Sequence, residues 1–313
     1  MKNTVRLLPD DGNLYKANLH CHTTVSDGAF TPREIKDMYL AEGYHAVAYT
    51  DHKVCAPHNE LTDDGFVALS GVEIAFGIGR KSSVHICGIS RDPAAELEIP
   101  NYPLDDITKI NEGIALLNER GYITTMNHPR WSGMSMDALA AMDGFANIEV
   151  FNGFEAVQDG YSSSDAIYEL ELRRGRRVMP IATDDSHRES EGGKPGLEYF
   201  RGFTVIKAPS LTYSSLISAL DSGAFYASTG PMFKNLWIED GYLNVECTPV
   251  CGVYVHGQLY SHRAALINAA DTIESARIKI PDGFATSDYL FVQIVDSRGG
   301  RAWSAPHHLN EEG

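Results

Sequence analysis

The sequence contains no long apolar run. Nothing in its 313 residues approaches the roughly 20 consecutive apolar residues of a membrane-crossing helix, so no membrane partner is expected. The opening Met1-Lys2-Asn3-Thr4-Val5-Arg6-Leu7-Leu8-Pro9-Asp10 lacks the apolar middle of a secretion leader, which points to a cytoplasmic protein. Cysteine is scarce. Cys21, Cys55, Cys87, Cys247 and Cys251 are odd in number, show no paired framework and read as reduced thiols. Cys247 and Cys251 are spaced like half a zinc knuckle, but no second pair follows. Basic side chains are few, 26 Lys plus Arg against 42 Asp plus Glu, for a net charge of −16. That balance argues against long duplex nucleic acid as a partner, which needs a basic surface. It leaves a small anionic substrate open, since three divalent ions would bring about six positive charges into one cleft.

What the chain does have is histidine at recurring places. Asn18-Leu19-His20-Cys21-His22 leads into Ser26-Asp27-Gly28, and Thr50-Asp51-His52, Gly71-Val72-Glu73, Val84-His85, Asn127-His128-Pro129 and Thr183-Asp184-Asp185-Ser186-His187 follow. Each falls at or just past the end of an expected strand. Imidazole and carboxylate together suit borderline divalent metals such as Zn, Mn or Fe.

A strand-then-helix rhythm places these residues. Residues 14–20 read as a strand. A helix then opens with Thr31 as N-cap and Pro32 at its first position, and Gly43 closes it. Residues 46–50 form a short apolar strand, and 66–70 and 83–89 read as two more. Residues 105–120 form an amphipathic helix with Ile107, Ile110, Ile114 and Leu117 on one stripe. Strands are expected at 122–126, 148–151 and 178–182, with helices at 164–174 and 212–222. Ligands gathered at successive strand ends imply parallel strands sharing one rim, as in barrel enzymes; an open doubly wound sheet is the rival. After Gly230-Pro231 the texture changes to short β-rich runs with turns such as Glu239-Asp240-Gly241 and Pro281-Asp282-Gly283. The expected division is therefore an α/β unit over residues 1–225 and a small antiparallel, sandwich-like β domain over 226–313. This second unit is compatible with partner binding, covering the cleft or forming a homo-oligomer.

Residue by residue, each reading has a bland competitor. His20 and His22 are two apart, so on a strand both rings face one side and can reach one ion. Asp27 lies in Ser-Asp-Gly, which is also good turn chemistry. Asp51 reads as the acceptor that orients a neighbouring imidazole rather than as a ligand. Glu73 is a carboxylate inside an apolar run, costly there unless paired or metal-bound. His85 in its β-like run is either a ligand or a hydrogen-bonded core histidine. Pro129 stops its strand and turns the chain beside His128. Asp185 and His187 are again two apart; Asp184 competes with Asp185 and reads as supporting it.

In these motifs, over about residues 14–190, the chain resembles the polymerase-and-histidinol-phosphatase (PHP) superfamily of metal-dependent phosphoesterases. The resemblance implies a distorted seven-stranded (β/α) barrel holding two to three divalent ions. One ion would take His20, His22, Glu73 and Asp185. A second would share Glu73 and add His85 and His128. A third would take His52, His187 and Asp27, the last standing where some relatives have a further histidine. Residues 200–305 are similar to a branch that also includes a carbamate-ester hydrolase.

The chemistry expected is metal-assisted hydrolysis, with a metal-bound water as nucleophile. Arg130 is the candidate for gripping a phosphate by a bidentate fork; Lys53, Trp131 and Arg188 are further candidate substrate contacts. Three functions are carried forward: hydrolysis of a phosphate monoester or small nucleotide, hydrolysis of a carboxylic or carbamate ester, and a metal-binding regulatory module without catalysis.

Overall fold

A computed structural model describes residues 4–78, 82–99, 107–160, 163–259 and 262–309. The first helix, Pro32–Ala41, begins as its sequence dictates. The Thr31 hydroxyl accepts from the Glu34 amide while the Glu34 carboxylate accepts from the Thr31 amide at 2.8 Å, a reciprocal capping box with Pro32 behind it. Gly43 takes φ +74° just past the helix, where a side chain would be strained. The helix expected from Asp105 is seen over Ile107–Glu119 and buries Ile110, Ile114 and Leu117; its expected first two residues lie outside the described residues.

Among the described residues one large sheet organises the chain. Its site-bearing part runs, neighbour to neighbour, Met179–Thr183, Asn147–Asn152, Tyr122–Met126, Ser82–Ser90, Val67–Ile78, Ala46–Tyr49, Asn13–Asn18 and Phe203–Ala208. The strands at 13–18, 46–49 and 67–78 are mutually parallel, as are those at 122–126, 147–152 and 179–183. The uniform parallel order expected from the strand-end pattern does not hold. Ser82–Ser90 runs antiparallel to both of its neighbours, and Phe203–Ala208 runs antiparallel to Asn13–Asn18. Three residues separate positions 78 and 82, too few for the dozen or so that a parallel crossover needs. Glu73 and His85 consequently sit inside long strands rather than at their ends.

The sheet curls until its first and last strands in this list meet. Thr204 accepts from the Ala182 amide at 3.4 Å and donates to its carbonyl at 3.2 Å, joining them through a side chain. Beyond Phe203–Ala208 the sheet continues through Phe225–Ser228, Arg301–Ser304, Tyr289–Val295, Gly252–Gly257 and Arg263–Ile267, all antiparallel. A second, four-stranded sheet is made by Thr4–Arg6, Phe233–Glu239, Tyr242–Val250 and Ile273–Lys279. Its hairpin turns at Asp240-Gly241, both with positive φ, the chemistry of a two-residue hairpin loop. Leu236, Val245 and Ile278 of this sheet share one apolar core with Val253, Leu290 and Val292 of the large one. No helix among the described residues is long and apolar enough to cross a membrane.

Candidate metal centre

The curled sheet delivers the candidate ligands to one point. Glu73 is buried, 1% exposed, and its two oxygens are shared among five imidazoles. Oε1 lies 3.0 Å from His85 Nδ1, 3.2 Å from His20 Nε2 and 3.7 Å from His128 Nε2; Oε2 lies 3.2 Å from His22 Nε2 and 3.1 Å from His52 Nδ1. Asp185 Oδ1 lies 3.1 Å from His20 Nε2, 3.3 Å from His22 Nε2 and 3.4 Å from His187 Nδ1. Asp27 is exposed, with Oδ1 3.5 Å from His22 Nδ1 and 3.7 Å from His187 Nε2, and Oδ2 3.7 Å from His52 Nε2. Three groups of donors able to hold an ion result: His20, His22 and Glu73; Glu73, His85 and His128; and His22, Asp27, His52 and His187. The placement of His22 in two of them goes beyond the ligand sets the resemblance implied.

The donor set fits divalent cations. His20 Nε2 and His22 Nε2 are 3.1 Å apart, close to the roughly 3.3–3.4 Å edge of a tetrahedral ion with nitrogen bonds of about 2.0–2.1 Å. His22 Nδ1, His52 Nδ1 and Asp185 Oδ1 are buried without a hydrogen-bond partner among the described residues. Such orphans are costly unless something else satisfies them. Charge gives the same answer. Burial would raise the Glu73 pKa, but His85, His20 and His52 outweigh it and hold the carboxyl well below its usual range. Burial opposes charge on His22 too, yet hydrogen bonds to Asp185 and Glu73 push its pKa up to about 9. At His52 burial wins, and its pKa falls to about 4. The carboxylates demand positive charge that adjacent imidazoles cannot all carry; divalent ions held here would supply it with the rings neutral.

Supporting groups fix these side chains. Glu149 accepts from His20 Nδ1 at 2.8 Å, the His128 amide at 2.7 Å, Thr183 Oγ1 at 2.6 Å and Asn152 Nδ2 at 2.9 Å. Asn127 donates to Glu73 Oε1 at 2.6 Å, and Asn152 to Asp185 Oδ2 at 3.1 Å. Sequence reasoning missed all three. Glu149 carried the very signal that singled out Glu73, a carboxylate between Ile148 and Val150; the two asparagines carried none.

Asp184 and Asp185 face different ways because Asp185 adopts φ +53°. Asp184 turns to Tyr39 Oη and to the amides of Phe200, Arg201 and Gly202, all at 2.8–2.9 Å, and burial pushes its pKa up to about 6. Asp51 does not act as expected. Instead of orienting an imidazole, its carboxylate accepts four hydrogen bonds from Thr23 and Ser26 and so anchors the loop that carries Asp27. Gly28 completes that loop, where a Cβ would stand 2.3 Å from the His22 carbonyl oxygen. Glu198, also unforeseen, accepts from the amides of His187 and Arg188.

The cluster opens into a cavity of about 370 Å³. Trp131 forms one wall, its ring 4.8 Å from that of His128 and 5.6 Å from that of His85. On another wall the Arg188 guanidinium lies over Phe154 at 4.5 Å. Of the cationic candidates Arg188 lines this cavity, whereas Arg130 and Lys53 are exposed and do not. Glu155 lines it too, buried, its pKa pushed up to about 7 by that burial.

A carboxylate-and-imidazole cluster at the rim of a curled α/β sheet defines a candidate metallohydrolase centre. Comparison with known proteins gives more particular likenesses. No family model matches the chain. Its fold is that of a crystal structure from Bacteroides vulgatus, a two-domain protein containing a predicted PHP-like metal-dependent phosphoesterase. That likeness covers 96% of this chain and 97% of the other at a TM-score of 0.51 and 17% identity. A 3′,5′-nucleoside bisphosphate phosphatase of Chromobacterium violaceum is 38% identical over 81 residues, 25% of this chain and 28% of that protein. A 5′-3′ exoribonuclease of Haemophilus influenzae is 33% identical over 81 residues, 25% of this chain and 29% of that protein. The chain thus spans less than a third of the curated relatives it matches. The PHP likeness read in the motifs recurs in the description of the structure that shares this fold.

Proposed function

We propose that this protein is a metal-dependent phosphoesterase acting on a small phosphorylated substrate, a phosphate monoester or small nucleotide. The observation that carries the reading is the Glu73 carboxylate, buried among five imidazoles with Asp185 beside it. His20, His22, Glu73 and Asp185 hold one divalent ion; Glu73, His85 and His128 a second; Asp27, His52 and His187 a third. When bound, such ions polarise phosphoryl oxygens and bring the pKa of water toward neutrality. The chain's own residues position the rest. Glu149 and Asn152 hold His20, His128 and Asp185 in place, Trp131 limits the space above His85 and His128, and Arg188 meets the anionic substrate. The names of the two curated relatives support a phosphate ester as the bond broken. The curled sheet within residues 1–225 serves as the distorted barrel, with eight strands from Met179–Thr183 round to Phe203–Ala208 where the resemblance implied seven, and residues 226–313 as an attached β unit.

The test is release of inorganic phosphate from a panel of monoesters and nucleotides by metal-loaded protein, with aryl carboxylic esters alongside. Turnover of phosphoesters that chelator, His22→Ala and Asp185→Ala each abolish is expected. Metal-loaded protein that turns over aryl esters and no phosphoester would overturn the reading.

A further inference from the structure

A second cavity, of about 490 Å³, opens at the other end of the same sheet. Lys207 lies within it. Its strand runs antiparallel to Asn13–Asn18 with Lys207 opposite Leu14, whereas His20 follows the far end of that strand. Six residues of extended chain, roughly 20 Å, therefore separate this place from the metal cluster.

Lys207 is 6% exposed, and among the described residues its ammonium has neither a hydrogen-bond acceptor nor a carboxylate partner. The side chain is buried along its length while its ammonium tip opens into the cavity, free to pair with an anion held there. Around it the cavity presents hydroxyls and the start of the ten-residue helix Tyr213–Ser222. Thr212 caps that helix by accepting from the Ser215 amide at 3.4 Å, and the Ser210 and Thr212 hydroxyls are 3.3 Å apart. Ser214 and Ser218, one turn apart, line the same side. The first amides of a helix have no partner within it and carry its positive end. Asp11, on the rim, is the one carboxylate lining the cavity; it can accept from a hydroxyl next to a bound anion.

We propose that this cavity is a phosphate-binding site remote from the metal centre, in which Lys207 pairs with the anion and Ser214, Ser218 and the first amides of helix Tyr213–Ser222 donate to its oxygens. Its occupant is inorganic phosphate or a small hydroxyl-bearing phosphate ester.

Isothermal titration of the full-length, metal-loaded chain with inorganic phosphate tests this. Saturable binding is expected to persist in Asp185→Ala, to weaken by about tenfold or more in Lys207→Met, and to weaken by a smaller factor in Ser214→Ala. Glycerol phosphate separates the two sources: tighter binding than inorganic phosphate marks an ester that reaches Asp11, equal binding marks phosphate alone, and both support the site. Absence of saturable binding in Asp185→Ala overturns it, as does binding that neither Lys207→Met nor Ser214→Ala alters. Should Lys207→Met fail to fold, the exposed pair Ser214→Ala with Ser218→Ala decides in its place. Failure of the phosphoesterase reading shows separately, in the absence of phosphate release by the metal-loaded wild type.

Discussion

At Glu73 a single carboxylate meets five imidazoles, and this crowding organises the whole site. Replacing it by the near-isosteric glutamine removes the charge while keeping the shape. Glu73→Gln should purify with less metal per chain, measured by elemental analysis, than wild type at equal purity; unchanged metal content would contradict its shared role. Glu149 acts one layer out. Glu149→Ala leaves the imidazoles present but unanchored, so metal affinity should fall about 10–100-fold by competition with a chelating dye. Asp27 is the contrasting case, exposed and 3.5–3.7 Å from its neighbours. Asp27→Ala should remove at most the metal held with His52 and His187; loss of all bound metal would mean that the three groups form one inseparable unit. The ligand positions were legible because histidine and carboxylate stand out within apolar strands. Asn127 and Asn152 were not, since an asparagine after a strand looks like ordinary turn chemistry. Nor was the difference between Arg188 and Arg130, which depends on how two loops turn above the sheet.

The elements themselves followed local rules closely. The N-cap at Thr31 and the apolar stripe of Ile110, Ile114 and Leu117 appear where the residues put them, and the helix expected at 212–222 begins at Tyr213 with Thr212 as its cap. Strand direction did not follow. Strands 67–78 and 82–90 each suit either pairing, and only the shortness of their connection selects the hairpin. Helix Pro32–Ala41 is tied to the site through Tyr39, whose hydroxyl donates to Asp184 at 2.8 Å. Tyr39→Phe leaves Asp184 its three amide donors and should cost about 1–2 kcal/mol, read from the denaturant midpoint. Gly202 sits where the curled sheet closes, and a Cβ there would stand 2.4 Å from the Thr183 carbonyl oxygen. Gly202→Ala should destabilise by roughly 1–3 kcal/mol and loosen the strand leading to Asp185. A fully stable Gly202→Ala protein would show that this closure is slack.

For the molecule as a whole, the acidic balance and the site pull in opposite directions. A chain with net charge −16 gathers the buried carboxylates of Glu73 and Asp185 and six imidazoles into one cluster, so cations are what reconcile it with an anionic substrate. The second sheet shares its core with the large one, which composition alone could not reveal; the change of texture after Gly230 showed only that the chain becomes β-rich. The central claim is that the cluster binds divalent metal in order to cleave phosphate esters. Its most direct test is elemental analysis of purified wild type and Asp185→Ala paired with phosphate release by the same samples. Two to three ions per wild-type chain, with both metal and phosphate release lost together in Asp185→Ala, is the predicted result. A wild-type chain that holds no divalent metal after loading, or an Asp185→Ala chain that releases phosphate at the wild-type rate, would contradict it.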